Sequence, residues 1–200
     1  MEKIAIVFVI FFSVTVFDEC KGFPGGAPTG QCEQMTPNHG PLPQTGASPY
    51  EIKVTKKYYV PGENVRVSIE SSSDNIKGYL IQARRVGENS AIGTFAAVPA
   101  NGTYVNCSNS KGAITHSTRL AVKTINFDWV PPANFSGNVS FYATVVKNVS
   151  TFWVKLQSQE LYKLECPSGD PKCDNSGAQL NHSILILLLV GVLVFWQNMV

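Results

Sequence analysis

An all-β antiparallel sandwich is the fold this 200-residue sequence predicts, and three observations lead there. Apolar residues recur with a period of two in several separate stretches, as they do along strands with one buried face. Turn-forming pairs punctuate those stretches at short intervals. No amphipathic helix of useful length precedes the C-terminal tail. Roughly seven to nine short strands punctuated in this way describe a sandwich of immunoglobulin-like architecture, although the Cys, Trp, Cys spacing of antibody domains is missing.

In chain order, Lys3 supplies a positive n-region, Ile4 to Phe17 an apolar h-region, and Cys20-Lys21-Gly22 a small-x-small site. Residues 1–22 are therefore expected to be a secretory signal peptide cleaved after Gly22. Cleavage removes Cys20 and leaves Cys32, Cys107, Cys166 and Cys173, an even set suited to disulfides in an oxidising compartment. Four cysteines permit three connectivities, and spacing does not choose among them. Residues 23–48, rich in Gly and Pro, are expected to form an irregular strap across the sandwich, tied at Cys32. A strap of this kind either shapes a groove or simply packs.

Residues 49–160 carry the predicted sandwich. Val65, Val67 and Ile69 alternate with Arg66, Ser68 and Glu70, and Ile125, Phe127 and Trp129 with Asn126, Asp128 and Val130. Val139, Phe141, Ala143 and Val145 repeat the pattern, as do Phe152, Val154 and Leu156. Further candidate strands are Glu51 to Lys57, Gly78 to Arg85, Ala91 to Val98 and Arg119 to Lys123. The turns between them fall at Pro61-Gly62, Asp74-Asn75, Asn101-Gly102, Pro131-Pro132 and Ser136-Gly137. Trp129 and Trp153 are expected in the core rather than on a sugar-stacking platform.

Residues 161–176 read as a short stalk, and residues 177–200 as the removed signal for a glycosylphosphatidylinositol (GPI) anchor attached at Ser176 or Asn175. The pattern is small residues, a polar spacer and an apolar run from Ile184 to Trp196. A membrane-spanning helix fits less well, because 13 residues give about 20 Å of helix against roughly 30 Å of hydrocarbon. No Lys or Arg follows Trp196 to hold such a span. The expected location is the extracellular face of the plasma membrane, through the lipid anchor.

Acceptor sequons at Asn101, Asn106, Asn134, Asn138 and Asn148 agree with that compartment and mark solvent-facing positions. Asn106 is the weakest, since a glycan there crowds any disulfide at Cys107. The processed chain keeps 14 basic and 11 acidic residues, a net charge of about +3. That balance, without a Lys/Arg run, excludes nucleic acid as the expected partner. The basic pairs Lys56-Lys57 and Arg84-Arg85 are assigned to solvated strand edges. Catalysis finds no support: His39 and His116 are the only histidines of the processed chain, and no nucleophile motif, phosphate loop or metal-ligand spacing accompanies them. No cofactor or metal is expected, and His116 is read as a histidine satisfied by a backbone carbonyl.

Several of these residues fall into a familiar order. Gly25-Gly26-Ala27-Pro28 leading to Cys32, then Met35-Thr36-Pro37, His39 and Tyr59-Val60-Pro61-Gly62, resemble the opening of the reelin-type (reeler) domain. The likeness continues through Gly78 to Arg84, Gly93-Thr94-Phe95, Cys107, Ala113-Ile114-Thr115-His116, Phe127-Asp128-Trp129, Phe141 to Thr144 and Phe152-Trp153, covering about Gly25 to Gln159. Single-domain defence proteins are the members it resembles most; the same module begins matrix and neuronal guidance proteins and ferric-chelate reductase-like membrane proteins. The resemblance implies a β-sandwich and a Cys32–Cys107 disulfide, leaving Cys166 and Cys173 to close a small stalk loop or to bridge chains. It also implies a non-enzymatic recognition module of innate defence, binding microbial polysaccharide or glycolipid. The alternatives are an adhesion module with a matrix or cell-surface partner, or an accessory to membrane redox chemistry.

Overall fold

The structure is a computed structural model that describes residues 23–38 and 40–164. The predicted signal peptide and anchor signal, most of the stalk, His39, Cys166, Cys173, Asn175 and Ser176 lie outside the described residues.

Among the described residues, eleven strands follow a 3-10 turn at Thr29–Gln31. They are β1 (Tyr50–Val54), β2 (Tyr58–Tyr59), β3 (Val65–Ser71), β4 (Gly78–Arg85), β5 (Thr94–Phe95) and β6 (Gly102–Cys107), then β7 (Asn109–His116), β8 (Thr124–Val130), β9 (Val139–Asn148), β10 (Thr151–Gln157) and β11 (Tyr162–Lys163). A four-stranded sheet runs β1-β3-β8-β5 and a five-stranded sheet β10-β9-β4-β7-β6, all antiparallel, with a small parallel β2-β11 pair beside them. The β-sandwich expected from the sequence is the architecture found.

Period two explains the layering. From the four-stranded sheet, Val65, Val67 and Ile69 of β3 and Ile125, Phe127 and Trp129 of β8 point inward. From the five-stranded sheet, Tyr79, Ile81 and Ala83 of β4 and Phe141, Ala143 and Val145 of β9 meet them. Edge-on aromatic contacts lock the two layers, Trp129 with Phe141 at 5.3 Å and Tyr79 with Phe127 at 5.4 Å between centroids. Each large side chain buried this way contributes about 1.5–3 kcal/mol, and Trp129 also donates its indole N–H to the Ile92 carbonyl (3.0 Å).

Four expectations need correction. The Ala91 to Val98 strand shrinks to Thr94–Phe95, pinned against Trp129 and Val130 of β8. Arg119 to Lys123 forms no strand, only an isolated bridge between Val122 and Ile76. The periodicity predicts neither β6 nor β7: Gly112 to Thr115 of β7 is buried on both faces and shows no alternation, and Gly102 to Tyr104 of the edge strand β6 are half-buried on both. In β10 a bulge between Trp153 and Leu156, with Lys155 at φ 55°, breaks the predicted period, so Trp153 and Leu156 pack toward the main core while Val154 faces the other way. Trp129 is fully buried and Trp153 half-buried, its indole N–H donated to the Gly46 carbonyl of the strap (3.1 Å).

Candidate functional site: a groove beneath the N-terminal strap

Side chains on the outer face of the five-stranded sheet should meet solvent by simple alternation, yet most are buried. Leu80, Gln82 and Arg84 of β4 are 4%, 0% and 1% exposed. The reason is the strap. Its segment Ala27 to Met35 covers this face, and Met35 packs with Leu80, Ala91, Val105, Cys107 and Ala113 in a second apolar cluster.

One disulfide and four hydrogen-bonding residues hold the strap down. Cys32 and Cys107 form a disulfide, with Cα atoms 5.5 Å apart and a separation of 75 residues. Arg84 donates from Nη2 to the carbonyls of Cys32 (2.9 Å) and Glu33 (2.8 Å) and from Nη1 to Asn89 Oδ1 (3.2 Å). Gln82 Nε2 donates to the same Cys32 carbonyl (2.7 Å). Thr144 donates to the Met35 carbonyl (2.6 Å), and the Ala27 N–H donates to Thr115 Oγ1 (3.1 Å).

Arg84 corrects the sequence reading: it is no solvated strand-edge cation but sits in the middle of the sheet, under the strap. Carbonyl dipoles and the ring of Tyr142, 5.3 Å away, surround the guanidinium in place of a carboxylate. Burial lowers its pKa, opposed by Tyr142 and Glu33. Its neighbour Arg85 does behave as predicted, exposed and 3.5 Å from Glu88. Lys56 and Lys57 are exposed as well, Lys57 lying over the rings of Tyr58 and Tyr162.

Where the strap does not close on the sheet, a groove of about 300 Å³ remains. Leu80, Thr144 and Val146 lie along its floor, Phe23, Ala27 and Met35 along the strap wall, and Lys77, His116 and Arg119 along the rim. No Asp or Glu is among the lining residues. Two glycines allow the approach of the parts. A Cβ on Gly26, at φ +106°, would collide with the His116 carbonyl, and one on Gly78 would lie 2.9 Å from the His116 ring. His116 itself accepts the Tyr79 backbone N–H at Nδ1 (3.2 Å), so a backbone amide is its donor and the Tyr79 carbonyl (3.3 Å) a further neighbour. Neither Lys77 nor Arg119 makes a salt bridge among the described residues.

The sequons distribute around this site unevenly. Asn101, Asn106, Asn134 and Asn148 are exposed, and Asn138 is half-buried with its amide donated to Glu160 Oε2 (3.2 Å). Asn148 lines the groove. Among the described residues no group of three His, Cys, Asp or Glu could hold a metal ion, and no helix is long and apolar enough to cross a membrane.

The family model of the reeler domain matches residues 30–168. The chain belongs to the reeler family. The match takes in both disulfide cysteines, the buried Arg84 and most of the strap. Among reeler relatives, the chain is 35% identical over 136 residues to "Defense protein l(2)34Fc" of Drosophila melanogaster, covering 66% of this chain and 83% of that protein. It is 29% identical over 153 residues to "Putative ferric-chelate reductase 1" of Danio rerio, covering 75% of this chain but only 27% of that longer protein. The crystal structure of the human F-spondin reeler domain superposes with a TM-score of 0.52 at 22% identity, covering 62% of this chain and 94% of that one. That likeness concerns the fold alone.

Proposed function

We propose that this reeler domain is a non-enzymatic recognition module of innate defence that binds microbial surface polymers. It is held at the extracellular face of the plasma membrane by a GPI anchor. The observation that carries this reading is the groove: a preformed, largely apolar concavity with cations at its rim and no carboxylate in its lining. Preformed apolar clefts with a few convergent polar groups are where ligands bind. The likeness to single-domain insect defence proteins, nearly whole length on their side, supports it.

The test is binding of the full chain, expressed in a eukaryotic secretory line, to lipopolysaccharide, lipoteichoic acid, β-glucan and heparan sulfate at low and physiological salt. Saturable binding to a microbial polymer that persists at physiological salt is expected. Binding to heparan sulfate alone, lost on adding salt, would replace defence by adhesion. The anchor has its own test. Phosphatidylinositol-specific phospholipase should release the protein from cells, and bulky residues at Asn175 and Ser176 should prevent its lipid attachment.

A second reading rests on the reductase relative: the module acts beside a membrane redox protein. Iron or haem retained by the purified protein, at one per chain, would favour it.

A further inference from the structure

We propose that the groove under the strap takes the acyl chain of an anionic amphiphile, with the phosphate or carboxylate of its headgroup held at Lys77 and Arg119. The inference deepens the recognition reading and rests on it, since it names the part of a microbial glycolipid that this site would hold.

Three observations converge on that chemistry. The floor and strap wall are mostly apolar, with Leu80, Val146, Phe23, Ala27 and Met35, and the Thr144 hydroxyl on the floor is already donated to the Met35 carbonyl; a volume of about 300 Å³ lies at the small end of ligand pockets. Such a space suits a single hydrocarbon chain better than a folded partner. The charge is one-sided and local. The Leu120 N–H donates to the Lys77 carbonyl (3.4 Å), which brings Arg119 beside Lys77 at one end of the groove, and His116 packs on Gly78 next to them. Some surface cations meet carboxylates, as Lys53 does Glu70, Arg66 does Asp128 and Lys147 does Asp74; Lys56, Lys57, Lys111 and Lys123 make no salt bridge among the described residues, but none of them lines the groove. Lys77 and Arg119 have no such partner among the described residues, and no carboxylate lines the groove to repel an anion. Cleavage after Gly22, expected from the sequence, would add the α-ammonium of Phe23 to the same wall.

Rigidity completes the case. The disulfide, Arg84 and Thr144 fix the strap as a wall, so the cavity need not be opened at a cost in ordering. A polysaccharide without lipid would find few hydrogen-bonding groups on the floor. An alkyl chain without charge would leave the rim unused.

The experiment is displacement of the fluorescent fatty acid cis-parinaric acid from the full, glycosylated chain. The competitors are lysophosphatidic acids of graded chain length and a neutral alkyl glucoside, with β-glucan binding measured in parallel. Affinity for the lysophosphatidic acids should fall roughly threefold to fourfold for each methylene removed while the chain still reaches the floor. The exposed-rim variant Lys77→Glu with Arg119→Glu should weaken them about tenfold or more and leave the alkyl glucoside unchanged. Val146→Trp, which fills the floor, should abolish both. The thermal midpoint of each variant, matched to the parent, excludes loss through misfolding. Absence of displacement, indifference to chain length, or affinities unmoved in the rim variant overturn the proposal. If β-glucan binds while the lipids do not, this inference falls and the recognition reading stands; if the lipids bind and no polymer does, the groove assignment stands and the polymer reading falls.

Discussion

The two sheets of this sandwich turn very different outer faces to the world. On the four-stranded sheet the alternation of β3 and β8 delivers polar groups outward. Arg66 lies 3.1 Å from Asp128 across the strands, and Lys53 of β1 lies 2.8 Å from Glu70. These pairs are exposed and sit in water. On the five-stranded sheet the same alternation delivers Leu80, Gln82, Arg84 and Thr144 outward, and a strap of irregular chain buries them. The backbone rule is identical on both faces; what differs is whether a second layer of chain arrives. Where that layer stops short, it leaves the groove, so the candidate site is the unfinished edge of the covered face. A covered polar group costs free energy unless it is bonded, which is why the strap comes with a disulfide and a set of charge-assisted hydrogen bonds.

The comparison breaks most visibly at the disulfide. Cys107→Ser should destabilise the domain by roughly 4 to 5 kcal/mol in the chain-entropy model for a loop of this length. Denaturant unfolding with intact and reduced controls measures it, and alkylation should find a free thiol at Cys32. A loss below about 1 kcal/mol would mean that hydrogen bonds alone hold the strap. Next comes Arg84→Ala, expected to cost about 3 kcal/mol, because it strands the Glu33 carbonyl and removes the guanidinium packing over Tyr142. Hydrogen exchange should then rise along the strap while β3 and β8 keep their protection. Uniform loss of protection would show that the strap and the sandwich unfold as one unit.

Thr144→Val is a smaller probe of the same face. It keeps the shape of the side chain, removes the donor to Met35 and the acceptor for the Lys155 N–H, and should cost about 1–2 kcal/mol. Its second readout is the groove, whose floor includes Thr144. Valine itself adds apolar surface to the floor, so a drop in ligand affinity, expected with little change in unfolding cooperativity, reports the strap wall shifting once its bond at Met35 is lost.

How far the sequence reveals this difference depends on the face. Val65 to Glu70 and Ile125 to Val130 read clearly, because one side of each strand faces core and the other faces water. Strand β4 was found with its bounds, but Arg84 was assigned to solvent; a charged residue carries no local mark that a segment fifty residues earlier will cover it. β7 was invisible to periodicity for the same reason, since covering both faces of Gly112 to Thr115 erases the alternation. The groove was less legible still. Phe23 and Met35 of the strap, Lys77, Arg119 and Val146 come from four separate stretches, and only their three-dimensional arrangement joins them. The signal that could have located it was partial: Gly26 and His116 stand in the reeler pattern because the strap must approach β7 closely there.

The smallest effect sharpens the contrast most. Arg66 and Arg84 are both strand arginines on an outward-facing side, one with its side chain 53% exposed and the other 1% exposed as a residue. Arg66 has a carboxylate partner and Arg84 forms no salt bridge among the described residues, so counting ion pairs would rank Arg66 as the more important. Solvent screening reverses that order: an exposed pair of this kind contributes at most about 1 kcal/mol, less at high salt. Arg66→Ala should therefore shift the denaturation midpoint only slightly, and the shift should shrink further when salt is raised. Arg84→Ala should keep its full effect across the same salt series, because its partners are carbonyls sealed from the electrolyte. Equal costs for the two substitutions, or equal salt dependence, would mean that the strap fails to exclude water from the face it crosses, and the two outer faces would then differ in composition only.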